Sequence, residues 1–329
     1  MEQRTRVLFA SGLTVAIFLG VQLGALALVE PFESAGYQTV EDPSDPTNSL
    51  LYIAVILVFT AGMLTVIKLG VEWILRAVII LTSGMISLYV FSVVIPPVVE
   101  TSVDGASVNV LAWVAAALVA VALTVYPEWY VIDAAGVVMG AGAAGLFGIS
   151  FGLLPAILLL VVLAVYDAIS VYGTEHMLTL ASGVMDLKIP VILVIPLTLS
   201  YSFLDETAQA TSEGAVDEDA NPGEGDRDAF FIGLGDAVMP TVLVASAAFF
   251  SPADALVSGT AINLPALTAM LGTLAGLLVL LWMVLKGRAH AGLPLLNGGA
   301  IGGYLLGALT SGISLARALG VEQYLSQLA

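Results

Sequence analysis

The chain has 329 residues, of which 59% are hydrophobic and only 11% charged, with a mean hydropathy of +1.02. Ordinary soluble domains carry about a quarter charged residues, so the composition excludes one and points to an all-α polytopic membrane protein. A net charge of −17 argues against nucleic acid and a polybasic lipid-binding patch, and the absence of cysteine excludes disulfides, zinc thiolates and cysteine nucleophiles.

Nine apolar segments are predicted to span: Val7–Val29, Leu50–Ile67, Trp73–Ile95, Val108–Val125, Val131–Phe151, Leu153–Val171, Phe230–Phe250, Leu264–Leu285 and Leu293–Ile313. Each is near the ~20 residues that cross about 30 Å of hydrocarbon, and their continuity speaks against a barrel of short alternating strands. The chain reads as a single nine-helix membrane domain, 1–329. Arg4 and Arg6 before an apolar run imitate a signal peptide, but 23 residues exceed the usual signal core, so Val7–Val29 reads as a retained first helix. Pro96-Pro97 ends the third segment and Pro127 separates the fourth from the fifth.

Residues 172–229 form a long loop between the sixth and seventh segments, acidic and expected to be disordered over 204–228. Within it, Ile189–Phe203 holds Pro190 and Pro196 and is too short to span comfortably. It is expected to be a surface or re-entrant segment with room for a strand, since Val191–Ile195 is rich in β-branched residues. With this topology eight of the nine basic residues lie on the amino-terminal side, all but Arg317, which puts the amino terminus in the cytoplasm and the carboxyl terminus outside. Gly136/Gly140, Gly272/Gly276, Gly298/Gly302, Gly299/Gly303 and Gly303/Gly307 are small-xxx-small pairs, read as helix packing.

Two aspartates inside these runs carry the functional argument. Asp167 lies four residues before the sixth segment ends, and Asp236 six residues after the seventh begins. Adjacent antiparallel helices would then hold both at similar depth, about 6 and 9 Å from the same face. Carboxylates in hydrocarbon are expensive and mark functional sites. Two close carboxyls do not readily ionise together and share one proton. The ionised member can draw a proton from water while the other donates to an amide carbonyl, giving a gem-diol without a covalent intermediate. Gly233 and Gly235 would let backbone approach closely, and Tyr166 could supply a hydroxyl or simply anchor at the interface. On these residues alone, a proton-coupled transporter or ion channel is the alternative.

Tyr166-Asp167 closing the sixth segment and Gly233-Leu234-Gly235-Asp236 opening the seventh resemble the presenilin and signal peptide peptidase family of intramembrane aspartyl proteases. The similarity spans essentially the whole chain, and the run after Asp167 looks most like the archaeal presenilin homologues. The family's third mark is Pro-Ala-Leu at the start of the ninth span. Leu264-Pro265-Ala266-Leu267 matches it literally but opens the eighth span, so we assign the mark to Gly292-Leu293-Pro294-Leu295-Leu296-Asn297, which departs from it by Leu295 in place of alanine.

The resemblance implies catalytic Asp167 and Asp236, with active-site shaping by Tyr166, Gly233, Leu234, Gly235, Leu293, Pro294, Leu295 and Leu296. It also implies transmembrane-helix substrates within the bilayer, and neither metal, organic cofactor nor obligatory partner subunits. Asp133 reads as a helix start or a solvated residue, Glu175 and His176 as interfacial, Asp254 as a loop residue, and Trp73, Trp113, Trp129 and Trp282 as packing or belt residues.

Overall fold

A computed structural model describes residues 3–103, 106–173, 192–199, 201–202, 204, 229–286, 290–322 and 324. Glu175, His176 and the acidic stretch 205–228 lie outside these residues. Helices dominate, because in hydrocarbon each backbone polar group must be satisfied within its own segment. In chain order they are α1 (Gln3–Ser34), α2 (Thr47–Lys68), α3 (Glu72–Val94), α4 (Val110–Val125), α5 (Trp129–Ser150), α6 (Leu153–Gly173), α7 (Leu234–Phe250), α8 (Leu264–Val284), α9 (Gly292–Thr310) and the single turn α10 (Leu315–Ala318). Seven of them (α1, α2, α3, α5, α6, α8 and α9) are long and apolar enough to cross a membrane. The other two apolar helices, α4 and α7, have 16 and 17 residues.

Side-chain caps mark three of the starts, one of them Ser314 at α10, which accepts from the Arg317 N–H. Asn109 accepts from the Ala112 N–H at the head of α4, and Asn263 accepts from the Ala266 N–H at the head of α8. Pro265 falls in the first turn of α8, where its missing N–H costs nothing.

The seventh segment departs from the sequence reading. Its first residues are not helical: Ala229–Gly233 forms strand β4, antiparallel to β3 (Ile192–Pro196), in the register Ile192↔Gly233, Val194↔Phe231 and Pro196↔Ala229. Phe230, Phe231 and Ile232 favour a pleated surface once a partner strand is present. Leu193, Val194 and Ile195 are buried, so this stretch is a strand inside the fold and not a surface segment. A second hairpin, β1 (Glu100–Val103) with β2 (Ala106–Asn109), links α3 to α4.

The core forms around α1, α5 and α7. Phe18, Val21, Ala25 and Phe32 of α1 are buried, and α5 meets its neighbours with a glycine-rich surface. A Cβ at Gly140 would stand 3.2 Å from Val21, one at Gly145 would stand 3.2 Å from Phe32, and Gly148 abuts Ala245 of α7. Between α8 and α9 the backbones themselves touch: Gly272 faces Gly299, Gly276 faces the Leu295 carbonyl, and Gly303 faces the Thr268 carbonyl. These pairs pack helices within the chain, whereas Gly298 and Gly302 face open space.

Candidate active site

Three elements meet where the two aspartates lie. Asp167 is on α6, two turns before its end. Asp236 is the third residue of α7, placed there because β4 runs through Gly233 directly into the helix. It therefore sits in a first helical turn and not two turns inside a helix, as a helical start at Phe230 would require. The third element is the start of α9, Gly292-Leu293-Pro294.

Both carboxyls face that start. Oδ2 of Asp167, only 7% exposed, accepts the backbone N–H of Leu293 at 3.0 Å. Oδ2 of Asp236 lies 3.6 Å from the point where a Cβ on Gly292 would stand, and 3.5 Å from the same point on Gly233. Both carboxyls thus flank the Gly292-Leu293 backbone. A Cβ at Gly233 or Gly292 would stand in ordinary van der Waals contact with Asp236, so both residues line its carboxyl. Among the described residues nothing lies within 4 Å of the Cβ position of Gly235.

A second hydrogen bond fixes α9 against α6. Buried Asn297, one turn after Leu293, donates Nδ2–H to the Leu160 carbonyl at 2.9 Å. Leu160 lies about two turns before Asp167, so Leu293–Asp167 and Asn297–Leu160 join two antiparallel helices at two levels. Sequence reasoning missed this role; an amide one turn from a proline motif inside an apolar helix was the available signal.

The remaining expected residues divide. Leu293 and Pro294 stand at the aspartates. Leu295 presses its carbonyl on Gly276, and Leu296 is buried with Phe18, Val21, Ala237 and Leu277, so both hold α9 in place from behind. Leu234 is also an anchor: its side chain enters the gap left by Gly136 and Gly140 on α5.

Tyr166 is 45% exposed on an outer face of α6 shared with Val165 and Ile169. The hydroxyl near the site belongs instead to Tyr172, which accepts the Ala291 N–H at 3.3 Å. Pro265 packs against Gly307 of α9, 14 residues beyond Leu293 and hence about 21 Å along the helix. The literal Pro-Ala-Leu is thus at the wrong end of α9.

Asp133 corrects the sequence reading more sharply. It is neither solvated nor a cap. Its side chain is buried at 6% exposure and accepts the Val194 N–H at 2.8 Å, because β3 lies across the start of α5. Asp254 is an exposed loop residue, as expected, and Trp73, Trp113 and Trp282 are exposed on the outside. Among the described residues no three acids or histidines gather as a metal site would require.

Comparison with known proteins adds the family. A family model described as signal-peptide peptidase, presenilin aspartyl protease matches residues 15–313. A solved structure of a presenilin family intramembrane aspartate protease in a C222 crystal form is 34% identical, with a TM-score of 0.62, covering 90% of this chain and 97% of its own. One in a P2 form is also 34% identical, with a TM-score of 0.59 over 90% of this chain and 96% of its own. No curated protein matches. A family match over most of the length, with the aspartates meeting at the head of α9, places this chain in the signal-peptide peptidase and presenilin family of aspartyl proteases.

Proposed function

We propose that this integral-membrane aspartyl protease hydrolyses peptide bonds within transmembrane helices with Asp167 and Asp236 as its catalytic pair. The observation that carries the reading is the convergence of both carboxyls on Gly292-Leu293. One proton is shared between them. The ionised carboxyl takes a proton from water as the water oxygen bonds to the scissile carbon, and the protonated one gives its proton to the carbonyl oxygen. In the gem-diol that results, a carboxylate removes a hydroxyl proton, the nitrogen is protonated, and the C–N bond breaks to leave acid and amine. Leu293 holds Asp167 from its backbone, so Asp167 needs no side-chain partner to be oriented.

A helical substrate shields its amides and must unwind at the bond to be cut. The Pro294 region and the hairpin, through β4, are the elements suited to receive the unwound stretch, since an extended chain pairs with backbone that is not helical. Replacing both by unrelated apolar sequence without loss of cleavage would remove this part of the proposal.

In this reading the domain crosses the membrane nine times, with α4 and α7 completing the seven longer helices, and 172–229 is a cytoplasmic loop. The amino terminus is cytoplasmic, supported by the eight basic residues on that side, so substrates present an outside amino terminus. An archaeal cell membrane fits the resemblance of the run after Asp167. The resemblance implies no obligatory partner subunit. The chain lacks cysteine, so single cysteines at either terminus, labelled with an impermeant reagent, test the orientation directly. The catalytic proposal is tested by cleavage of a membrane-spanning peptide by wild type, Asp167→Ala and Asp236→Ala. Undiminished product from either variant would refute it.

A further inference from the structure

A third carboxylate lies inside an apolar helix and takes no part in this chemistry. Asp133, the fifth residue of α5, is buried; Oδ1 accepts the Val194 N–H at 2.8 Å, and Oδ2 has no hydrogen-bond partner among the described residues. Along a strand of an antiparallel pair, backbone groups alternate between facing the partner strand and facing away. Val194 gives its N–H to Asp133, so it faces away from β4, and the outer edge of β3 ends against α5.

Neighbouring contacts repeat the arrangement. One turn along α5, a Cβ at Gly136 would stand 2.9 Å from Leu193, so glycine makes the space that β3 occupies. Val194 is buried with Leu123, Ile132, Ala135 and Ala229. Beyond β3, the Ser202 hydroxyl donates to Oε1 of Glu128, just before α5, at 2.7 Å. The head of α5 thus grips the chain at and after β3.

We propose that Asp133 is a positioning residue of the protease. By holding the Val194 N–H it closes the outer edge of β3 and locks the hairpin on α5, and β4 transmits that register through Gly233 to Asp236. β3 then backs the hairpin and does not itself accept a substrate strand. The lock decides which bond of an unwound substrate reaches the aspartates. The inference rests on the catalytic pair proposed above.

The test uses the full chain in detergent with Asp133→Leu, Asp133→Asn and Val194→Pro. Asparagine keeps an oxygen for Val194. Proline deletes the same hydrogen bond from the other side and spares the ladder, because that N–H faces away from β4. Two quantities are read: amide exchange over 192–196 and 229–233, and the bonds cut in a membrane-spanning peptide, located by mass spectrometry.

Asp133→Leu and Val194→Pro should speed exchange in the hairpin about fivefold or more, the effect of losing one buried hydrogen bond. They should also spread the cuts over neighbouring bonds, with α8 and α9 still protected. Asp133→Asn should match wild type in both. Wild-type protection and an unchanged cut in Asp133→Leu or Val194→Pro would overturn the inference, as would Asp133→Asn behaving like leucine. Exchange needs no substrate. A wild type that cuts nothing would therefore sink the protease reading, while protection in the variants would still decide whether Asp133 anchors the hairpin.

Discussion

The backbone N–H of Leu293 donates to Oδ2 of Asp167 at 3.0 Å, across 126 residues of sequence. A carboxyl of the proposed catalytic pair is thereby oriented by main chain, and the start of α9 becomes part of the candidate site. The hydrogen bond is testable through proline, the one residue without the donor. Leu293→Pro should lower kcat about 10- to 100-fold, the equivalent of one hydrogen bond to a charged group. Helix stability should be spared, because 293 is the second residue of α9, where proline is tolerated. Leu293→Ala keeps the N–H and should stay within about threefold of wild type in the same peptide-cleavage assay.

The two proline motifs separate by the same logic. Pro294→Ala acts at the aspartates and should reduce kcat/KM about tenfold or more. Pro265→Ala lies near the far end of α9, against Gly307, and should leave cleavage unchanged. Equal losses in both, measured as initial rates at matched folded protein, would contradict the assignment of the motif to the head of α9.

Glycines of the site also divide by what surrounds them. Gly276 meets the Leu295 carbonyl, so Gly276→Ala overpacks the contact between α8 and α9 and should cost about 1–3 kcal/mol and several degrees of melting temperature. Among the described residues nothing meets a Cβ at Gly235. Gly235→Ala should melt with wild type, so any fall in its kcat/KM reports on the passage of substrate.

Much of this arrangement is legible in the sequence, and the reasons differ by element. Long apolar runs announce helices because hydrocarbon permits little else, and Asp167 and Asp236 stood out because carboxylates are rare there. The spacing of Pro294 from Asp236, with a whole helix between, pointed to a helix start near the aspartates despite Leu295, and α9 begins there. The start of α7 could not be read, because Phe230–Ile232 is apolar either way and only pairing with Ile192–Pro196 makes it a strand. Asp133 escaped for a related reason: an acid near a helix start looks solvated until β3 is laid across it. Tyr166, adjacent to Asp167 in sequence, points elsewhere, since neighbours on a helix are about 100° apart and the nearby hydroxyl comes from Tyr172.

The chemistry requires one proton on the pair. At high pH both carboxyls are ionised and no acid remains for the carbonyl; at low pH both are protonated and no base remains for water. A plot of kcat/KM against pH should therefore be bell-shaped, its two limbs belonging to the pair and not to either residue. A single-limbed profile, followed with one peptide at constant ionic strength, would point to one catalytic carboxyl.

Cleavage of a membrane-spanning peptide by purified wild type, Asp167→Ala and Asp236→Ala, each shown to be folded by its melting curve, tests the central claim most directly. Product from wild type and none from either variant is the predicted result. Product from either variant at the wild-type rate would contradict the two-aspartate mechanism.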